Sequence, residues 1–186
     1  LFPIVVVIGA DDYESRYQLT NLNVVFLILE ESDEERELFH SVKAGLEYLK
    51  DKCLSVVFTP VNAPMFIPKT IVKMRQYHND IVVPSYKKRA GHPVLISNDM
   101  IPDILAYKGE NGLRGAIEQF ADRRVFVEVD DIGVLSLNQE DEALQSQIEE
   151  HNKSILHPIL TLGIGHETSF FNTRLKLLLF LIEDLN

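Results

Sequence analysis

The sequence predicts an α/β fold, a three-layer sandwich around a largely parallel sheet, from three observations. Phe2–Ile8 is β-branched and apolar at both parities and ends on Gly9, as a strand covered on both faces does. Val24–Leu29 and Leu54–Thr59 repeat that type, and Ile81–Pro84 is a shorter version. Leu38, Val42, Leu46 and Leu49 recur between them at helical spacing and form one apolar stripe. Strands alternating with helices imply right-handed crossovers and helices on both faces of the sheet.

Further elements follow in order. Ile71, Met74 and His78 hint at a helix after the third strand. His92–Ser97 and Val125–Val129 read as strands. Between them come Met100–Leu105, a turn marked by Gly109-Glu110-Asn111-Gly112, and a helix near Leu113–Phe120. Gln139–Asn152 reads as an acid-rich exposed helix with Asn138 as its N-cap. From His157 the charge falls and Leu and Phe dominate. There Leu175, Leu178, Leu179, Ile182 and Leu185 predict an amphipathic helix capped by Asn172. The expected organisation is one α/β domain over 1–152 and a short β/α appendage over 153–186.

Composition limits the function. The 186 residues are 46% hydrophobic and 25% charged, with a formal net charge of −10. The acidity lies in residues 1–150, with 15 Lys+Arg against 25 Asp+Glu, while 151–186 balances three against three. Neither part offers the positive field that phosphate backbones require, so DNA contact is expected only through a C-terminal extension. The single cysteine, Cys53, excludes an internal disulfide and a cysteine-cluster metal site and fits a reducing, cytoplasmic setting. Phe2–Ile8 and Leu177–Ile182 are far shorter than the roughly 20 residues that span a bilayer, so no membrane partner is expected. The Leu/Phe-rich end makes a homodimer an expectation.

Three polar clusters sit where an open α/β sheet receives ligands, beyond the C-terminal ends of strands. In Thr59-Pro60-Val61-Asn62-Ala63-Pro64, two prolines bracket Asn62 in a stiff loop. Asn62 either faces the crevice or merely bonds the backbone of a turn. Lys87-Lys88-Arg89-Ala90-Gly91-His92-Pro93 concentrates three cations, which suits an anion or a solvated loop. Asp130-Asp131-Ile132-Gly133 offers a carboxylate pair able to hold magnesium, or a simple acidic turn. His151, His157 and His166 are too irregularly spaced for a zinc site.

Taken in order, six segments resemble the MobA-like nucleotidyltransferases, especially those that attach CMP or GMP to molybdopterin. They are Phe39–Leu46, Pro60–Pro64, Val82–Pro84, Gly91–Ile96, Gly112–Arg114 and Val127–Gly133, and the resemblance covers roughly residues 3–150. It implies a Rossmann-like domain that binds CTP or GTP with Mg2+. The phosphate of a pterin acceptor would attack the α-phosphorus and release pyrophosphate. Such a nucleophile is already anionic, which suits a chain without an evident Ser/His/Asp arrangement.

The resemblance also assigns residues. Ser41 and Gly45 match the nucleotide-binding region. Gly91, His92 and Arg114 match the acceptor side. Asn62 stands where the family usually has a magnesium-binding Asp, and Asn138 matches a second metal-side position. Those two amides are the expected catalytic and metal residues, with Asp130 and Asp131 as compensating metal carboxylates. The family's first strand and glycine-rich phosphate loop have no counterpart, because Leu1 opens directly on what matches the second strand. An upstream segment is therefore expected, supplying one neighbour of the first strand here. Leu160–Leu162, Phe170–Asn172 and Leu175–Leu185 resemble the start of the winged-helix domain of molybdate-responsive regulators. That second resemblance implies the alternative of a catalytically weakened sensor or scaffold.

Overall fold

The computed structural model describes residues 4–20, 22–30, 38–63, 65–136, 146–147, 150 and 178–182. Among the described residues, eight strands form one mixed sheet: β1 (Ile4–Gly9), β2 (Val24–Leu29), β3 (Ser55–Pro60), β4 (Ile81–Tyr86), β5 (Arg89–Ala90), β6 (Val94–Ser97), β7 (Arg124–Glu128) and β8 (Leu178–Ile182). The helices are α1 (Tyr13–Leu19), α2 (Leu38–Leu49), α3 (Pro68–Met74), α4 (Ile101–Ala106) and α5 (Gly112–Glu118). The strand order is β2-β1-β8-β3-β6-β4-β5, with β7 pairing β4. β1 runs parallel to β2 and β4 to β7, whereas β6 and β8 run antiparallel to their neighbours.

Alternation along the strands divides the core into two layers. Val5, Val7, Val56, Phe58, Ile81, Val83, Val94 and Ile96 face α2, α4 and α5. Val57, Val82, Leu95, Val127 and Val129 face α3 and the 3-10 turn Ile132–Val134. Helices and turns therefore cover both faces of the sheet, giving the expected three layers. The Leu38/Val42/Leu46/Leu49 stripe is the buried side of α2, apart from Leu38 at its exposed start. α3 stops at Met74, so His78 falls outside it. α1 had no strong periodic signal. Asp12 caps it, its carboxylate accepting from the backbone N–H (3.1 Å) and the hydroxyl (2.7 Å) of Ser15.

The largest correction concerns the end of the chain. Residues 178–182, expected within an amphipathic helix, are strand. They form β8 in the main sheet, pairing Val5 with Phe180 on one side and Phe58 with Phe180 on the other. The two neighbours of β1 are thus β2 and β8, both from this chain. The physical reason is that Leu177–Ile182 is apolar at every position, so it satisfies a helical stripe and a doubly buried strand equally. The acidic helix expected over 139–152 and the segments that resemble a winged helix before residue 178 lie outside the described residues, apart from helical turns at 146–147 and 150.

Candidate functional site

A cavity of about 800 Å³ opens on the α2/α5 face of the sheet, within the range of small-molecule sites. Phe58, Val83 and Val94 supply its strand floor, the first turns of α2 one wall, and α5 another. The α5 wall is fixed by local chemistry. Asn111 and Gly112 take positive φ (66° and 55°) and turn the chain into the helix. A Cβ on Gly112 would lie 3.2 Å from the Cβ of Phe39 in α2, and its left-handed backbone favours glycine. Upstream, Lys43 Nζ donates to the Tyr107 carbonyl, and the Tyr107 hydroxyl donates to the Glu110 carbonyl at 2.9 Å.

Three expected residues meet in this cavity: Gly91, His92 and Arg114. Gly91 N–H donates to Pro84 O at 2.8 Å and His92 N–H to Val134 O at 2.7 Å, so this segment is pinned between β4 and the 132–134 turn. The His92 ring meets Phe58 edge-on, with centroids 5.8 Å apart. Its Nδ1 is buried without a hydrogen-bond partner among the described residues. Burial pushes the imidazole pKa down to about 4. Arg114 is exposed, and its Nε donates to Glu118 Oε1 at 2.9 Å, a surface pair of small energetic worth.

The neutral imidazole has a measurable consequence. The unfolded chain takes up a proton near pH 6.5, whereas folded His92 resists protonation until about pH 4. The unfolded state thus binds more protons between those values. Folding stability attributable to His92 is complete above pH 6.5, declines as pH falls, and levels off below 4. The whole decline is at most about 3 kcal/mol. Denaturant unfolding from pH 7 to 4 should show a shallower slope in His92→Gln than in the wild type. Identical slopes would mean that the ring is solvated.

The remaining expected residues are placed elsewhere. Ser41 and Gly45 lie one turn apart on the buried side of α2, among Val42, Leu46 and Leu49, and do not line the cavity. Their small size suits helix packing. Asn62 is exposed on the turn after β3, where Ala63 N–H bonds Pro60 O at 3.1 Å. Pro60 itself lines the cavity. Asp130 is exposed after β7, and Asn138 lies outside the described residues.

Asp131 is placed differently from Asp130. It is 1% exposed. Its carboxylate accepts from Ile67 N–H (2.9 Å), the Thr70 hydroxyl (2.5 Å) and Gly133 N–H (3.0 Å). Three protein donors converge on it, so in the fold it serves as an internal tie. It caps α3 across the fold, since the α3 N-cap residue, Ile67, has no side-chain cap of its own. The tie joins the 131–133 turn to the Ile67–Thr70 segment, while Asn62 and Asp130 are both exposed. Hard oxygen donors of this kind suit magnesium, which typically takes one or two carboxylates plus substrate oxygens and water. Among the described residues no three His, Cys, Asp or Glu side chains form a metal cluster.

The sequence reading passed over Arg124 and Phe126, which line the same cavity. In β7, Val125 packs against and Val127 lies within the α3-side core, which puts Arg124 and Phe126 on the opposite, cavity face. A charged residue at the inward parity of a strand was the signal.

A family model described as MobA-like NTP transferase domain matches residues 2–125. No curated protein sequence matches the chain. Among solved structures, the chain is similar to Rv0371c of Mycobacterium tuberculosis H37Rv, at 15% identity and a TM-score of 0.60, covering 78% of this chain and 74% of that one. A manganese complex of that mycobacterial protein aligns with a TM-score of 0.59 at 15% identity, over 78% and 77% of the two chains. The bifunctional IspDF of Campylobacter jejuni aligns with a TM-score of 0.52 at 16% identity, over 74% of this chain and 41% of that one. These likenesses show a nucleotidyltransferase-type fold. No helix among the described residues is long and apolar enough to cross a membrane.

Proposed function

Since this chain belongs to the MobA-like NTP transferase domain family, we propose that it transfers a nucleotidyl group from CTP or GTP to molybdopterin. An acceptor phosphate oxygen bonds to the α-phosphorus while the bond to the β,γ-pyrophosphate breaks, and pyrophosphate carries away the electron pair. The observation that carries this reading is the meeting of Gly91, His92 and Arg114, all assigned to the acceptor side, at one cavity. The apolar floor excludes water from the bound acceptor. His92, neutral at physiological pH, hydrogen-bonds it without adding charge, and Arg114 at the rim attracts its anionic end. The nucleophile needs no base, so orientation accounts for most of what these residues contribute.

Magnesium would be held by Asn62 and Asp130 together with nucleotide oxygens, with Asn138 as a further amide donor. When bound, the ion neutralises phosphate charge. The manganese complex of the similar mycobacterial protein supports a divalent ion. The regulator alternative is not favoured, because Leu178–Ile182, within the segment expected as its first helix, forms β8. Pyrophosphate release from CTP or GTP with magnesium and molybdopterin tests the proposal, and absence of turnover with both nucleotides overturns it.

Asn62 lends this reading a second test. An amide oxygen ligates magnesium but brings no negative charge, so Asn62→Asp should tighten magnesium-dependent nucleotide binding about 3- to 10-fold. Calorimetry with and without magnesium reads the difference. Unchanged affinity would remove Asn62 from the metal.

A further inference from the structure

The cavity contains a charge that its own walls leave uncompensated. Arg124 opens β7 on the cavity face, and its Nε is buried without a hydrogen-bond partner among the described residues. The side chain as a whole is half-buried, and the Nε is the atom withdrawn from water, where a donor without an acceptor is costly. Glu118 is the acidic side chain lining the cavity, and Arg114 already holds it at 2.9 Å. Phe126, 51% exposed on the same face, lies beneath the Arg124 guanidinium, whose carbon is 4.7 Å from the ring centroid. A flat cation steadied on an aromatic face with an N–H to spare suits an oxyanion attached to a planar group. His92, whose Nδ1 is likewise without a partner among the described residues, lines the same cavity and offers an uncharged ring beside the Arg124 cation.

We propose that Arg124 is a specificity-determining residue of this site, receiving a carboxylate or phosphate oxyanion of the acceptor distinct from the oxygen that becomes nucleotidylated. This rests on the transferase reading above for the word acceptor, but not for the anion site itself. Asn62 and Asp130, the residues assigned to the nucleotide's metal, are not among those lining the cavity, which places the anion on the acceptor rather than on the triphosphate.

The test titrates the full chain with inorganic phosphate, followed through the His92 ring nitrogens by NMR, and separately with CTP or GTP plus magnesium by calorimetry. Phosphate should perturb the His92 signals of the wild type. Arg124→Gln should weaken phosphate binding about 10- to 100-fold. Arg124→Lys, which keeps the charge and the stem, should lose only a few-fold and covers the case in which the glutamine variant fails to fold. Nucleotide affinity should be the same in wild type and variants. Phosphate binding that is absent from the wild type, or indifferent to both substitutions, overturns the proposal. An equal loss of nucleotide affinity in Arg124→Gln also overturns it, by assigning the anion to the triphosphate. If neither nucleotide binds the wild type while the phosphate results hold, the transferase reading fails and the anion site stands.

Discussion

Asp131→Ala should lower the unfolding free energy by about 3–5 kcal/mol, since a buried ionic acceptor is removed and its donors are stranded. The carboxylate lies 61 to 64 residues away in sequence from Thr70 and Ile67, and it bonds both. Its loss uncaps α3 and leaves the Gly133 N–H without its 3.0 Å acceptor. The tie also fixes how closely two backbones approach, because a Cβ at Gly133 would sit 2.0 Å from Met65 O. At about 2–4 °C per kcal/mol for a chain of this size, the midpoint of thermal unfolding should fall by roughly 10 °C. Asp131→Asn keeps the shape and one acceptor oxygen but turns an amide N–H₂ toward a donor, so it should recover only part of the loss. A metal ligand would behave in the opposite way. The variant would unfold like the wild type while losing magnesium-dependent nucleotide binding. Urea unfolding with a change below about 1 kcal/mol would return Asp131 to the metal.

The same residue shows where sequence reading stops. Asp130-Asp131 looks locally like an acidic turn or a magnesium pair, and nothing within ten residues shows that one carboxylate faces inward. Its partners come from the start of a helix four strands earlier. Elements fixed by their own pattern were legible. The doubly apolar β1 and β3, the α2 stripe and the glycine-marked turn before α5 all stand close to where their residues put them. That Gly91, His92 and Arg114 share one cavity has a different source. Gly91 and His92 are adjacent, and Arg114 opens the helix after the glycine turn, so a motif order sufficed to bring them together. Segment 178–182 was not legible, because six consecutive apolar residues carry no period. Its choice between helix and strand is made by the gap between β1 and β3 that it fills. The paired amides Asn62 and Asn138 remain a proposal, with one on an exposed turn and the other outside the described residues.

Gly91→Ala should cost about 3 kcal/mol of stability and about 100-fold in kcat/KM for the acceptor. A Cβ built there lies 2.3 Å from Val134 O, 2.8 Å from its carbonyl carbon and 2.9 Å from its Cγ2. Two of those three atoms are backbone, so no rotamer change relieves the contact. Either the 132–134 turn or the 90–92 segment must move. Moving the turn works against the Asp131 tie. Moving the segment breaks the 2.8 Å bond from Gly91 to Pro84 and the 2.7 Å bond from His92 to Val134. The second route is cheaper and displaces the His92 ring from its edge-on seat against Phe58, on the cavity floor. The variant should therefore lose acceptor recognition more than nucleotide binding, visible as a raised acceptor KM with the nucleotide Kd unchanged. Its His92 pKa should also rise from about 4 toward the ordinary imidazole value as the ring gains water. Wild-type stability together with an unshifted His92 would show that the 90–92 segment has room to spare, and that glycine there serves neither packing nor the cavity.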